Sequence, residues 1–287
     1  MGKRLAVIGS PLGHTLSPAI HGAAIGMLGL DLTYEAMEIP LGVAGERLPE
    51  FFQGLRGADW LGCNVTVPYK QIVLAYLDER TDEVQAIGAT NTVVNHSGRL
   101  IGHNTDAVGF LEDVQEHFGP VDGKTVLLLG AGGAARAVCY ALGGRADRVW
   151  VWARQFQRAT TLVDEIAQAP RGARPGWLKP APILSLGELL RDADLVVNCT
   201  SAGLRPEDTP VQEELVPAKA ALYDLIYNPA ETRLMKAVRQ RGGKAINGLG
   251  MLVRQAAGSF RIWTGEEPPL TAMFRAAEEA LGKTAHA

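Results

Sequence analysis

A lysine that follows a predicted strand is the first candidate for acid–base chemistry. The segment reads Asn64-Val-Thr-Val-Pro-Tyr-Lys70, and strand periodicity places Asn64 and Thr66 on one face. A helix is predicted over 69–77, so Lys70 falls in its first turn. The helix dipole disfavours a cation there, which suits a general acid or base better than a structural role. The alternative is that Lys70 is a solvated surface group, as single lysines usually are.

Two further polar clusters supply hydroxyls, amides and a carboxylate. The first is His14-Thr-Leu-Ser-Pro18, and the second combines Gly88-Ala-Thr-Asn-Thr92 with Gly102-His-Asn-Thr-Asp106 on either side of a hairpin. Each has a structural alternative. Ser17 is predicted as an N-cap with Pro18 at the first helical position, and Asp106 as an N-cap of the helix that follows it. A hydroxyl at a helix start can also meet a ligand, so both interpretations can hold.

A glycine-rich turn suggests a dinucleotide. The buried strand 125–129 leads into Gly130-Ala-Gly-Gly-Ala-Ala135, which fits G-x-G-x-x-A between a strand and a helix. In this pattern Gly130 allows the tight turn, Gly132 lets the backbone approach a pyrophosphate, and Ala135 lets helix and strand pack closely. The free N–H groups of the helix then face phosphate. The alternative is a tight strand-to-helix turn without a ligand, and the flanking elements favour the nucleotide.

The end of the next strand indicates which dinucleotide binds. NAD sites usually carry a carboxylate there, whereas this chain reads Ala153-Arg-Gln-Phe-Gln-Arg158. Arg154 and Arg158, four positions apart, are suited to a 2′-phosphate. The sequence therefore favours NADP, with two solvated surface arginines as the alternative.

Length and composition exclude several classes of protein. The 287 residues suit one large or two smaller domains, and 47% hydrophobic with 21% charged residues is typical of a globular protein. A net charge of −3 offers no basic surplus for nucleic acid. No run approaches the roughly 18 apolar residues of a membrane span, and the N-terminal apolar run is too short for a signal peptide. We expect a cytoplasmic protein without a membrane or nucleic-acid partner.

Neither the cysteines nor the histidines indicate a metal site. Cys63, Cys139 and Cys199 are far apart and each lies in an apolar run, which predicts buried thiols in a reducing compartment. The six histidines show no H-x-x-x-H spacing.

Up to about residue 101, short strands alternate with helices and predict a mainly parallel α/β sheet. The predicted strands are 5–8, 34–39 and 62–67, and the predicted helices are 18–28, 44–55 and 69–77. A hairpin over 93–101 turns near Ser97-Gly98, and a helix over 107–118 follows. The turn cluster 119–123 is the expected domain hinge.

A second α/β block follows. Its predicted strands are 125–129, 148–152, 195–199 and 221–226, and its predicted helices are 134–142 and 159–167. The fully apolar strand 125–129 is typical of a sheet covered on both faces. The Pro- and Gly-rich stretch 170–182 predicts a loop. Helices over 250–260 and 272–281 end the chain, and the first could pack back on the N-terminal domain.

Taken together and in order, the motifs closely resemble the shikimate dehydrogenase family along essentially the whole chain. The matching segments are Asn64–Lys70, Gly88–Thr92, Asn104–Asp106, Gly130–Ala134, Asn198-Cys-Thr200 with Gly203, Asp224–Pro229 and Gly248–Gln255. The resemblance implies a two-domain α/β fold, with a substrate domain and a Rossmann-type doubly wound domain for NADP. It also implies reversible reduction of 3-dehydroshikimate to shikimate, a step towards chorismate and the aromatic amino acids.

The resemblance assigns roles to individual residues. It implies that Lys70 and Asp106 are the catalytic pair, with Asp106 also in contact with substrate. The other implied substrate ligands are Thr15 and Ser17 for the carboxylate, and Thr66, Asn91, Tyr227 and Gln255 for the pocket and the hydroxyls. The implied cofactor ligands are Gly130, Ala131, Gly132, Gly133, Ala134, Arg154, Arg158, Thr200, Ala202, Gly248 and Met251.

Two departures from the family leave alternatives open. The first carboxylate-binding position is often Ser and is Thr15 here, which leaves quinate open as a substrate. The NADP segment often reads Asn-Arg-Thr-x-x-Arg, and two of its polar neighbours differ here, which leaves some use of NAD open. The rivals are a quinate/shikimate dehydrogenase that uses NAD, a sensor that binds nucleotide without turnover, and an unrelated Rossmann oxidoreductase.

The expected substrate domain is 1–106, completed by 250–287, and the expected NADP domain is 107–249. The active site is expected in the cleft between them, with some domain closure. The expected partner is a small-molecule substrate, and a homodimer is left open.

Overall fold

The computed structural model describes residues 2–167, 176–205 and 207–284 and divides into two compact units. The first unit comprises Met1–Gly109 and Leu252–Ala287, and the second comprises Phe110–Met251. Each unit has its own six-stranded sheet. The assignment of substrate to 1–106 with 250–287, and of cofactor to 107–249, stays a prediction because compactness does not identify a ligand.

The first unit has a mixed sheet. Its strands are β1 Lys3–Gly9, β2 Leu32–Glu38, β3 Trp60–Val65, β4 Glu79–Arg80, β5 Thr92–His96 and β6 Arg99–His103. They lie in the order β2-β1-β3-β5-β6-β4. The β1 pairs are parallel as predicted, but β3–β5 and β5–β6 are antiparallel. The β5–β6 hairpin turns at Ser97 and Gly98, where φ is 53° and 88°, so the predicted turn is confirmed.

Helices and a packed core complete the first unit. The helices are α1 Ser17–Leu28, α2 Ala44–Leu55, α3 Asp82–Ile87 and the start of α4 Asp106–Phe118, with most of α9 Leu249–Thr264 and all of α10 Leu270–Thr284. One face of the sheet and α2 share a core that includes Ile8, Leu48, Phe52 and Val93. Burial of this apolar face keeps the strand ends in register.

The second unit has a parallel sheet in doubly wound order. Its strands are β7 Thr125–Leu129, β8 Arg148–Trp152, β9 Leu178–Pro180, β10 Leu195–Asn198, β11 Ala221–Asp224 and β12 Ala245–Asn247. The order β12-β11-β10-β7-β8-β9 runs outwards in both directions from β7 and β10, and every pair is parallel. Ligands of such sheets bind beyond the carboxyl ends of the two strands where the order reverses.

Four helices connect these strands: α5 Gly133–Leu142, α6 Phe156–Ala167, α7 Leu186–Asp192 and α8 Arg233–Gln240. Residues 126–129 of β7 are fully buried, as expected for a strand covered on both faces. Among the described residues, no helix is long and apolar enough to cross a membrane.

The helix predicted over 69–77 is wrong. The chain turns through Lys70, and only a short 3-10 helix forms, at Ile72–Tyr76. The reason lies in the backbone, because the Lys70 carbonyl accepts the N–H of Thr90 at 2.8 Å and Leu74 bonds to Gln71 instead. An α-helix needs the Lys70 carbonyl for Leu74. The helix-dipole argument for Lys70 therefore fails.

The loop predicted over 170–182 is partly wrong. Residues 170–175 lie outside the described part of the chain, whereas Leu178–Pro180 form the edge strand β9. The pairing is fixed at its start by the N–H of Val149, which donates to the Trp177 carbonyl at 2.7 Å. Pro180 is tolerated because an edge strand leaves one row of backbone groups unpaired.

Candidate functional site

Lys70 and Asp106 form a partly buried ion pair in the first unit. Lys70 Nζ lies 2.5 Å from Asp106 Oδ2, and the two side chains are 15% and 4% exposed. Asp106 is the first residue of α4 rather than the residue before it, and its N–H is accepted by Asn104 Oδ1 at 3.1 Å. Its carboxylate bonds to Lys70 and to Asn91, so the predicted N-cap role is wrong. A lysine held this way is not a solvated surface group.

The Asn91 side chain orients the carboxylate. Its Nδ2 donates to Asp106 Oδ1 at 2.9 Å and lies 3.1 Å from Gln255 Oε1. Its Oδ1 accepts the N–H of Thr105 at 2.9 Å, which sets which way the amide faces. The structure thus brings together four predicted site residues: Lys70, Asn91, Asp106 and Gln255.

Thr15 and Ser17 meet at the start of α1. Thr15 Oγ1 lies 3.4 Å from both the hydroxyl and the N–H of Ser17. Ser17 is the first residue of α1, whose N-cap is Leu16 without a side-chain bond, so the prediction of Ser17 as N-cap is wrong. The helix starts one residue early because Pro18 already fits its first turn. The Ser17 hydroxyl is therefore not occupied by capping.

Thr66 follows β3 directly, and its N–H donates to the Ile8 carbonyl at 2.9 Å. Within the described residues, no side-chain hydrogen bond joins Thr66 to another predicted site residue.

In the second unit, the glycine turn lies at the point where the strand order reverses. Gly130 follows β7 and Thr200 follows β10, the two strands from which the order runs outwards. Gly130 has φ of +109°, and a Cβ there would lie 2.9 Å from Thr200 Cγ2 and 3.1 Å from the Cys199 carbonyl. Packing against the neighbouring strand therefore explains why this position is glycine.

Gly132 differs, because the protein itself does not require a glycine there. It is the N-cap of α5 with φ of −91°, and a Cβ at this position would have no atom within 4 Å. The space beside this backbone is open, as a cradle for a pyrophosphate requires. Ala131, Gly133 and Ala134 are half-buried around it, and Ala135 is fully buried against the sheet. These residues fit a dinucleotide.

Arg154 and Arg158 follow β8, next to β7 in the sheet. Both side chains are exposed, and neither forms an ion pair with a residue that the structure describes. Two exposed guanidinium groups at this end of the sheet fit a phosphate.

A buried network shapes the turn that follows β10. Asn198 Oδ1 accepts both the N–H and the hydroxyl of Thr200, and Thr200 Oγ1 accepts the N–H of Ala202. Asn198 Nδ2 donates to Asp224 Oδ1 at 2.9 Å. Burial raises the pKa of Asp224 to about 6, although its hydrogen bonds lower it. Thr200 and Ala202 are thus fixed in the turn after β10, and Thr200 lies beside Gly130.

The last three predicted residues also lie in the second unit. Tyr227 is half-buried, and burial raises the pKa of its phenol, which keeps it a hydrogen-bond donor. Gly248 cannot carry a side chain, because a Cβ would lie 2.2 Å from the Leu225 carbonyl oxygen. Met251, in the first turn of α9, is 7% exposed.

The predictions missed three buried hydroxyls that contact the Asn91 side chain or its neighbours: Thr92, Thr105 and Ser259. Thr92 and Thr105 lie inside the polar motifs 88–92 and 102–106, so the sequence marks both as candidates for the site. Ser259 lies between apolar residues of α9, and only its polarity on a buried face could have marked it.

A doubly wound sheet with an open glycine turn at its reversal point, in a chain with a partly buried lysine–carboxylate pair, defines a dinucleotide-binding oxidoreductase. Three family models match the chain. They are the shikimate dehydrogenase substrate binding domain at residues 7–93, the shikimate / quinate 5-dehydrogenase model at 112–214, and the shikimate 5′-dehydrogenase C-terminal domain at 248–278. The chain belongs to the shikimate dehydrogenase family.

The chain is also similar to individual proteins over nearly its whole length. The chain is 40% identical over 284 residues to a shikimate dehydrogenase (NADP(+)) of Symbiobacterium thermophilum, covering 98% of this chain and 95% of the relative. It resembles the crystal structure of a Thermus thermophilus shikimate 5-dehydrogenase in complex with NADP(H) and shikimate, with 42% identity, coverage of 97% and 99%, and a TM-score of 0.84. It also resembles a Corynebacterium glutamicum quinate dehydrogenase in complex with NAD, with 31% identity, coverage of 97% and 99%, and a TM-score of 0.88.

Proposed function

We propose that the protein is an NADP-dependent oxidoreductase that interconverts 3-dehydroshikimate and shikimate, in the pathway to chorismate and the aromatic amino acids. The observation that carries this proposal is the 2.5 Å contact of Lys70 Nζ with Asp106 Oδ2, in a chain of this family. A ketone reductase needs a group that can stabilise and protonate an alkoxide, and a half-buried, oriented ammonium meets that need.

Lys70 and Asp106 act as an acid–base pair at the oxygen of the reacting carbon. When bound, NADPH supplies the hydride for the ketone carbon. The Lys70 ammonium stabilises the negative charge that develops on the oxygen and donates the proton that converts it to a hydroxyl. An ionised carboxylate has no hydrogen to donate, so Asp106 acts purely as an acceptor and holds the Lys70 amino group in a fixed direction. In the oxidation direction, Lys70 starts as the neutral amine, accepts the hydroxyl proton as the base and becomes the ammonium.

The substrate carboxylate binds Thr15 and Ser17. Two neutral hydroxyls suffice at the start of α1, because the twelve-residue helix presents unpaired N–H groups and a positive dipole end there. The ring hydroxyls bond to the polar groups of Thr66, Asn91, Asp106, Tyr227 and Gln255. Gln255 offers both a donor and an acceptor, which a hydroxyl needs on its two sides.

The residues after β7, β8 and β10 hold the cofactor. The backbone of Gly130, Ala131, Gly132, Gly133 and Ala134 binds the pyrophosphate at the start of α5. Arg154 and Arg158 pair with the 2′-phosphate, which distinguishes NADP from NAD. The remaining cofactor contacts come from Thr200, Ala202, Gly248 and Met251.

The cell compartment and the assembly are also proposals. We propose a cytoplasmic enzyme, because the cysteines favour a reducing compartment and NADPH is the proposed reductant. A homodimer is the assembly to test, by light scattering coupled to size-exclusion chromatography.

Steady-state oxidation rates test the proposal. The parent protein is assayed with shikimate and with quinate, each with NADP and NAD, by the absorbance of reduced nicotinamide. We expect the highest kcat/KM with shikimate and NADP. A preference for quinate and NAD would replace the proposal with the quinate dehydrogenase alternative. Cofactor binding without turnover of either substrate would indicate a sensor and refute the enzyme.

A further inference from the structure

A closed ring of hydrogen bonds passes through the Asn91 side chain. Asn91 Nδ2 donates to Thr105 Oγ1 at 2.8 Å, and Asn91 Oδ1 accepts from Thr92 Oγ1 at 2.9 Å. Ser259 joins the two hydroxyls, with Oγ 2.7 Å from Thr92 Oγ1 and 3.2 Å from Thr105 Oγ1. All four side chains are buried, and Thr105 is the most exposed at 6%. An unpaired polar atom is costly in such an interior.

The hydroxyl hydrogens can be placed in one consistent direction around the ring. Asn91 Oδ1 can only accept, so Thr92 gives its single hydrogen to Asn91. Thr105 receives a hydrogen from Asn91 Nδ2 and gives its own to Ser259, which gives its own to Thr92. Within the ring, each member then donates once and accepts once, an arrangement in which the bonds strengthen one another. From outside the ring, Asn64 Nδ2 lies 3.2 Å from Thr92 Oγ1 and 3.0 Å from Ser259 Oγ, and both hydroxyls can accept from it.

The ring fixes the orientation of the Asn91 amide. A flipped amide would place Nδ2 against the Thr105 N–H, now 2.9 Å from Oδ1, and would break the ring on both sides. It would also turn Oδ1 towards the Asp106 carboxylate, which has no hydrogen to share when ionised. In the observed orientation the second Nδ2 hydrogen is directed at Asp106 Oδ1, 2.9 Å away.

We infer that Thr92, Thr105 and Ser259 are positioning residues that hold the Asn91 amide and, through it, the Asp106 carboxylate in the orientation that bonds Lys70. The inference rests on the proposed function, because it is the acid–base role of Lys70 and Asp106 that makes this orientation matter. It assigns a role to one residue of α9, Ser259, whose side chain lies outside the proposed substrate and cofactor contacts.

Thr92→Val opens the ring while keeping the shape of the side chain. The variant removes the hydrogen bond to Asn91 Oδ1, and Ser259 can donate instead to the Gln255 carbonyl, 3.0 Å away. Asn64 Nδ2 loses Thr92 Oγ1 as an acceptor but keeps the Asn91 carbonyl and Ser259 Oγ, each 3.0 Å away. We expect kcat/KM for shikimate to fall by about 10- to 100-fold, the range for a small misplacement of a catalytic group, with KM for NADP unchanged. Thr92→Ser retains the hydroxyl and is expected to restore the rate.

Thr90→Val is the matched control. Thr90 is also fully buried and lies two residues away, but its hydroxyl contacts only the main-chain carbonyls of Thr92 and His103, at 3.0 and 2.6 Å. The change removes the same atom from a similar environment and leaves every side-chain hydrogen bond of the ring in place. We expect lower stability than in the parent and unchanged kinetic constants per folded molecule.

Exchange of the Asn91 side-chain amide protons with water, measured by NMR, gives a readout that does not depend on activity. We expect slow exchange in the parent and Thr90→Val, and faster exchange in Thr92→Val. If the parent turns over shikimate and Thr92→Val matches it in rate and exchange, the positioning role is refuted and the proposed function stands. If the parent does not turn over shikimate, the proposed function fails. In that case the positioning role is still tested, because equal exchange of the Asn91 amide protons in the parent and Thr92→Val would refute it.

Discussion

Asp224→Asn removes a buried ionisable group from the second unit. Asp224 ends β11 and is 0% exposed, and its carboxylate accepts hydrogen bonds from Asn198, Thr232 and the N–H of Ile226. Burial is the largest influence on this group and raises its pKa from 3.8 to about 6, with the three hydrogen bonds acting against it. The folded protein therefore disfavours the charged form of Asp224 relative to the unfolded chain.

The sign and size of the effect follow from the two pKa values. Between pH 3.8 and about 6, folded Asp224 keeps a proton that the unfolded chain has released. The folded state binds more protons there, so stability falls as the pH rises through this window and is highest below it. A separation of about 2 pKa units at 1.36 kcal/mol each corresponds to roughly 3 kcal/mol lost by neutral pH.

Denaturant unfolding from about pH 4 to about pH 8 measures this directly. We expect the free energy of unfolding of Asp224→Asn, relative to the parent, to rise by about 2–3 kcal/mol across the range, because the amide cannot ionise. Asp122→Asn, at an exposed turn position, is the control and should follow the parent. A difference between Asp224→Asn and the parent that stays constant, or that falls with pH, would refute the reasoning.

Two further predictions concern the proposed cofactor site. Gly130→Ala places a side chain at a residue with positive φ and against Thr200, so we expect the free energy of unfolding, measured by thermal denaturation, to fall by about 1–3 kcal/mol. Gly132→Ala adds a side chain where the space is open, so it should keep the stability of the parent and raise KM for NADP. Equal stability of the two variants would contradict this account of the turn. Arg154→Ala with Arg158→Ala should raise KM for NADP far more than KM for NAD, while Arg148→Ala, exposed at the start of β8, should change neither. An equal rise for both cofactors would argue against a 2′-phosphate contact.

Strong local patterns in the sequence predicted much of the fold. The bounds of β7 and β8 match the prediction because continuous apolar runs between turns leave few alternatives. The hairpin turn was predictable because Ser97-Gly98 suits the positive φ values it adopts. The helix predicted over 69–77 failed because the bond from Thr90 to the Lys70 carbonyl joins residues far apart in sequence, and no local pattern encodes it.

In the candidate site, too, residue types could be predicted from the sequence, whereas contacts between distant residues could not. Lys70 and Asp106 were identified by residue type and by resemblance, but their 2.5 Å contact joins residues 36 positions apart. Ser259 contacts Asn64 across 195 positions, so its partners could not be read from its neighbours in α9. The short helices α3, α7 and α8 carried too few residues for a clear helical period and were not predicted.

The rate of shikimate oxidation by Lys70→Ala tests the central claim most directly. With NADP saturating and the folded fraction checked by circular dichroism, we expect kcat to fall by at least about a hundredfold, the low end for a positioned acid–base group. Lys3→Ala, which removes an exposed lysine at the start of β1, should retain the parent rate. A Lys70→Ala variant that turns over shikimate as fast as the parent would contradict the account, because the proton would then not pass through the Lys70–Asp106 pair.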